Sequence, residues 1–87
     1  MLRITRRGEG GPDPLTLDLE GRLVEDWVPV LEQECLTVLA RGGSVEVDFS
    51  EVSRIDARGA DAVRRLASRG VRIVNCPEVI RDVLRDA

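Results

Sequence analysis

The stretch from Ser44 to Gly70, SVEVDFSEVSRIDARGADAVRRLASRG, constrains this chain more than any other. In Val45-Glu46-Val47-Asp48-Phe49 apolar residues alternate with acids, the pattern of a strand buried on one face. A polar loop from Ser50 to Arg58 follows, with Val52 and Ile55 as apolar anchors that pin it to the core. After Gly59, Ala62, Val63, Leu66 and Ala67 recur at helical spacing, and Val71-Arg72-Ile73-Val74 reads as a further strand. That order predicts two parallel strands joined by a right-handed crossover. The loop lies beyond the carboxyl end of its strand, where open α/β sheets usually meet ligands and partners. Within it, Asp48 can accept N–H groups of the following turn, and Asp56 can cap the helix that begins near Ala57.

The rest of the chain reads as scaffold for this unit. Leu2-Arg3-Ile4 is an edge strand, and the turn formers from Gly8 to Pro14 form a loop. Leu15-Thr16-Leu17-Asp18-Leu19 alternates strictly, a second strand antiparallel to the first with its leucines inward, and Gly21 breaks it. Val24 to Ala40 carries the longest helical signal, with Trp27, Val28, Leu31, Cys35, Val38 and Leu39 on one stripe. Asp26 is its expected N-cap, Pro29 is tolerable in its first turn, and Arg41-Gly42-Gly43 stops it. Trp27 is assigned to the core at the helix start. A last helix opens at Asn75-Cys76-Pro77-Glu78 with Pro77 as its first residue. Its apolar stripe is Val79, Ile80, Val83 and Leu84, and Arg81, Asp82, Arg85 and Asp86 face water. The expected architecture is α/β, one domain over residues 1–87, with a small mixed sheet flanked by helices in the order β-β-α-β-α-β-α.

Composition narrows the chemistry. The net charge of −3 argues against nucleic acid as a partner. No apolar run approaches the roughly 20 residues that span a bilayer, and the start lacks a signal-peptide stretch, so a cytoplasmic location and no membrane insertion are expected. Histidine, tyrosine and lysine are absent, which removes the commonest general base, the usual zinc ligand and the Schiff-base nucleophile. Catalysis, cofactors and metals are therefore not expected. Asp18, Glu20, Glu46 and Asp48 could line one sheet face as metal ligands, but isolated surface acids are far commoner. Cys35 and Cys76 read as packed thiols, and no glycine-rich phosphate loop opens a helix. Arg64, Arg65 and Arg69 form a basic stripe beside Arg58, either a solvated face or a docking surface for an acidic partner.

Asp48-Phe49-Ser50-Glu51-Val52-Ser53-Arg54-Ile55-Asp56-Ala57-Arg58-Gly59 resembles the signature of STAS domains. These are the anti-sigma-factor antagonist modules, also found at the ends of sulfate transporters. The family pattern is a strand ending in Asp-Leu-Ser, a short loop with two apolar anchors, then Asp-Ser-Ser-Gly opening a helix. Leu17 to Leu23 and Leu66 to Asn75 also fit its order of elements, so the resemblance covers about residues 15 to 86. It implies a non-catalytic protein-interaction module that binds a regulatory partner, an anti-sigma factor of the serine-kinase kind, through residues 50–69. Ser53, Asp56, Ala57, Arg58, Gly59, Asp61 and Arg65 are the implied contact residues. In the family the serine before the glycine is phosphorylated, which turns binding off. Here that position is Arg58, and Ala57 precedes it, so the switch is absent. Two alternatives stand beside this one: a small STAS subunit of a transport ATPase, and a sensor of a small ligand or nucleotide. Fuller family members add a strand and a helix, so part of the partner surface or a sheet edge is expected to be missing or supplied by another chain. The oligomeric state is left open.

Overall fold

The computed structural model describes residues 2–8 and 14–85. Its elements follow the expected order: β1 (Leu2–Arg7), β2 (Leu15–Leu23), α1 (Trp27–Ala40), β3 (Val45–Ile55), α2 (Ala57–Ser68), β4 (Arg72–Val74) and α3 (Glu78–Arg85). The strands lie side by side as β1-β2-β3-β4. β1 runs antiparallel to β2, and β2, β3 and β4 are mutually parallel. Alternation sorts the two faces of the sheet. Leu15, Leu17, Leu19, Val45, Val47 and Phe49 turn inward and are buried. Leu31 and Cys35 of α1, Leu66 of α2 and Ile80 of α3 join the same core. Thr16, Asp18, Glu46 and Asp48 occupy the opposite face, away from the helices.

The largest departure from expectation is the segment 50–55. It is the second half of β3, not a loop, because β3 stays paired with β2 to its end. Two register shifts allow this: residues 18–22 of β2 face 48–54 of β3, so β3 carries two extra residues in bulges. Val52 and Ile55 are buried as expected, but as strand residues. Gly21 does not break β2. It lies in the shifted region with φ +111°, open to glycine but costly for other residues, and the strand runs on to Leu23.

Other corrections are local. β1 extends beyond Ile4 to Arg7, held by its pairing with β2. Asp26 does not cap α1, because its backbone is already helical and its side chain accepts no capping bond. Trp27 is 36% exposed, since α1 buries the face carrying Val28, Leu31 and Cys35 and Trp27 falls at its margin. Arg41-Gly42-Gly43 does end the helix: the Arg41 and Gly43 N–H groups both donate to the Val38 carbonyl at 3.1 Å, and Gly42 has φ +80°. Pro77 stands just before α3, its carbonyl accepting the Arg81 N–H at 2.9 Å. In α3 only Ile80 and Leu84 pack inward, leaving Val79 66% and Val83 36% exposed, because i and i+4 define one narrow stripe on so short a helix. The turn-rich residues 9–13 and Asp86 lie outside the described residues. Among those described, no helix is long and apolar enough to cross a membrane.

Leu31 and Leu66 are fully enclosed between helices and sheet. Leu31→Ala and Leu66→Ala are each expected to cost about 2–5 kcal/mol, a large share of the stability of so small a protein. Denaturant titration checks this, and an unchanged midpoint for either variant would contradict the packing described here.

Candidate functional site

Asp56 organises the end of the sheet from which α2 departs. Its backbone is extended, and one carboxylate oxygen accepts the Gly59 N–H at 2.8 Å, the N-cap anticipated from sequence. The other oxygen accepts the Glu25 N–H at 2.9 Å. That bond falls in the approach to α1, where Glu25 adopts a left-handed φ of +49°. One side chain thus fixes two segments 31 positions apart. Burial raises the Asp56 pKa, but the N–H groups of Gly59, Glu25 and Asp56 itself, with the Arg58 charge, outweigh it and leave it below the usual carboxylate value.

Gly59 explains how closely α2 approaches β2. A Cβ there would stand 2.5 Å from the Leu23 carbonyl oxygen and 2.8 Å from Ile55 Cγ1. A backbone oxygen cannot move aside cheaply, so only glycine fits.

Around this junction Arg58, Asp61 and Arg65 of α2 meet Glu25, Val28, Pro29 and Glu32 across an open cleft of about 320 Å³. Arg58 is exposed and forms no ion pair among the described residues. Asp61 pairs with Arg64 at 2.8 Å, and Arg65 with Glu32 of α1 at 3.2 Å. Arg64 also donates to the Leu84 and Val83 carbonyls of α3 at 3.1 and 3.2 Å. The expected basic stripe is therefore divided. Successive helical residues point about 100° apart, so Arg64 ties α2 to α3 while Arg65 ties it to α1. A second cleft of about 410 Å³ between α2 and α3 is lined by Ile55, Asp56, Ala57, Ala60, Asp61, Arg64 and Val83. Ser53 stands apart from both clefts, its hydroxyl donating to the Gly21 carbonyl at 3.2 Å.

Trp27, read from the sequence as core, is partly exposed beside the first cleft. It lies one residue before Val28, which lines the first cleft, and Val30 is 44% exposed nearby on α1.

The remaining reactive groups are quiet. Burial pushes the Cys35 thiol up to about 12 and raises that of Cys76. Among the described residues no group of three or more histidine, cysteine, aspartate or glutamate side chains could hold a metal ion. On the uncovered sheet face Asp48 accepts the Ser50 N–H at 2.8 Å and the Asn75 amide at 2.9 Å, and its carboxylate lies 3.7 Å from Arg7. The Ser50 N–H is the main reason its pKa is lowered, against the opposing effect of burial. Asp48 thus bonds within its own bulge, not to a turn.

Comparison with known proteins now bears on this geometry. A family model described as "Mlab, STAS domain" matches residues 9–87. The chain belongs to the STAS family. The fold is that of the anti-sigma factor antagonist SpoIIAA in its unphosphorylated form, with a TM-score of 0.72 at 17% identity over 98% of this chain and 84% of that one. An uncharacterized protein from Shewanella loihica with a SpoIIAA-like fold gives a TM-score of 0.59 at 17% identity, over 98% of this STAS chain and 75% of the other. The protein Mglu matches at 29% identity with a TM-score of 0.61, over 90% of this chain but only 20% of its own. No curated protein sequence matches.

Asp56→Ala is expected to lose about 0.5–2 kcal/mol near neutral pH through the lost cap. Because the folded pKa lies below the unfolded one, this contribution is complete above the unfolded value near pH 4 and disappears as pH falls through the folded value. Stability curves of the wild type and the variant should therefore converge in acid, and a constant gap between them would refute the role given to the carboxylate. Gly59→Ala should destabilise more than Asp56→Ala, as read by the same denaturant titrations.

Proposed function

We propose that this STAS domain is a non-catalytic module that binds a protein partner through the first turns of α2 and the adjoining end of α1, without a serine phospho-switch. The contact surface in this reading is Asp56, Ala57, Arg58, Gly59, Asp61 and Arg65, with Trp27 added and Ser53 at its margin. Arg58 is the observation that carries the reading. It stands where the resembled family has its phosphorylatable serine, it is exposed at the rim of a cleft, and among the described residues it forms no ion pair. An arginine of this kind is suited to charge-assisted hydrogen bonds with a partner, and an exposed tryptophan nearby is a common anchor of binding energy. The absence of histidine and lysine and the protonated state of Cys35 support a role without catalysis.

The partner in the first reading is an anti-sigma factor or a related regulatory kinase. The second reading, a standing subunit of a transport ATPase, is favoured by one specific observation. With Ala57 and Arg58 in place of hydroxyl residues, the first turn of α2 cannot accept a phosphate, and a module that is never switched off suits a permanent assembly.

Arg58→Glu is expected to leave the fold intact, raise the melting temperature slightly by placing an acid at the helix start, and weaken partner binding at least about tenfold. Trp27→Ala should weaken binding by a similar factor, beyond the modest stability loss that its melting curve records. The partner is obtained by affinity capture with mass spectrometry and then titrated against both variants beside an Arg81→Glu control. Equal affinities for all would move the contact surface elsewhere. Incubation with a partner-switching serine kinase should leave no phosphate on this protein, and stoichiometric phosphate on Ser53 would show that the switch has shifted to the strand.

A further inference from the structure

Arg22 and Arg54 stand directly opposite each other on β2 and β3. Their neighbours Leu23 and Ile55 are buried, so alternation turns both arginines toward the face of the sheet that the helices leave open. Adjacent strands lie about 4.8 Å apart, and like charges placed opposite one another across strands cost stability. Both arginines are exposed, and among the described residues neither forms an ion pair. The preceding rung sets Glu20 opposite Glu51, yet these acids do not reach the arginines either. An open cleft of about 220 Å³ is lined by Arg22 and Arg54 together with Val24, Glu25 and Asp56. Asp56, whose two oxygens accept backbone N–H groups, remains an anion of this cleft but forms no ion pair with either arginine. Glu25 is the other acid of the cleft.

We propose that the Arg22–Arg54 rung is an anion site that takes a phosphoryl group, carried by a soluble phosphate ester or by a lipid headgroup. Two arginines at paired positions of adjacent strands can bring guanidinium donors to one anion from two sides. A tetrahedral phosphoryl group has oxygens to meet both, whereas a planar carboxylate matches one fork. The bound anion also removes the repulsion between the two cations, so occupancy and fold stability rise together. Neither Arg58 nor Trp27 takes part; Glu25 and Asp56 border both this cleft and the proposed partner surface, and the test varies neither.

Melting curves of the full chain in chloride and in inorganic phosphate at matched ionic strength test this. Arg22→Gln and Arg54→Gln probe the rung, and Arg72→Gln on β4 serves as control. The wild type should gain about 6–11 °C at roughly ten times the half-saturating phosphate concentration. Arg22→Gln and Arg54→Gln should melt above the wild type in chloride and lose the response to phosphate, while Arg72→Gln should respond as the wild type does. An equal gain in all four proteins, or none in the wild type up to about 50 mM phosphate, overturns the site whatever vesicles show. Given the phosphate response, co-sedimentation with phosphatidylglycerol but not phosphatidylcholine vesicles, lost in Arg54→Gln, assigns the lipid headgroup. The phosphate response without sedimentation assigns a soluble ester. Phosphatidylglycerol binding that Arg54→Gln retains in full overturns the proposal.

Discussion

Asp56 accepts the Gly59 N–H on one oxygen and the Glu25 N–H on the other, at 2.8 and 2.9 Å, and so joins the first turn of α2 to the approach of α1. Both clefts that border the α2 start depend on that junction, because Glu25 and Arg58 line one and Asp56 and Ala57 the other. The bond also accounts for the left-handed backbone at Glu25, since a residue without glycine's freedom adopts such a φ only where its surroundings hold it there. Gly59 completes the arrangement. With its missing Cβ it lets α2 lie against the Leu23 carbonyl, at a spacing that any side chain would push apart.

The bulged pairing of β2 and β3 sets where this junction can form. Without the two extra residues on β3, Ile55 and Asp56 would end in a different register, and Asp56 would not reach Glu25. On the open face the same region is tied across the strands by polar contacts. Arg7 of β1 holds Asp18 of β2 through two bonds of 2.8 Å, Thr16 reaches Glu46, and Asn75 reaches Asp48, whose side chain is only 13% exposed. These bonds satisfy the polar groups of the open face ahead of the bulges, where the helices do not cover it.

Within the STAS family, a phosphorylatable serine lets one charge decide between bound and free states. In the function proposed above, Arg58 stands in that serine's place and exchanges an anion that comes and goes for a cation that is always present. On that proposal the electrostatic sign at the start of α2 is constant, and control over binding comes from the partner or from another part of the surface.

The sequence alone determined the order of elements, the inward leucines of β2, the cap at Asp56 and the glycine at 59. Each of these is a local matter: period-two and period-3.6 patterns, a capping residue at a fixed offset, and the identity of one side chain. What the tertiary structure decided was pairing. The segment 50–55 is rich in polar residues and reads as a loop by itself, yet it is strand because β2 offers it a ladder through two bulges. Trp27, Val79 and Val83 fit apolar stripes by spacing but lie at the margins of the helix faces, where only the position of the sheet tells inside from outside. Arg64 and Arg65 are neighbours in sequence but serve different helices, and Arg22 meets Arg54 only because parallel pairing brings distant residues into register. Hydrogen-bond partners between strands, and the helix face a core accepts, are set by the whole packed arrangement, and no local pattern encodes them.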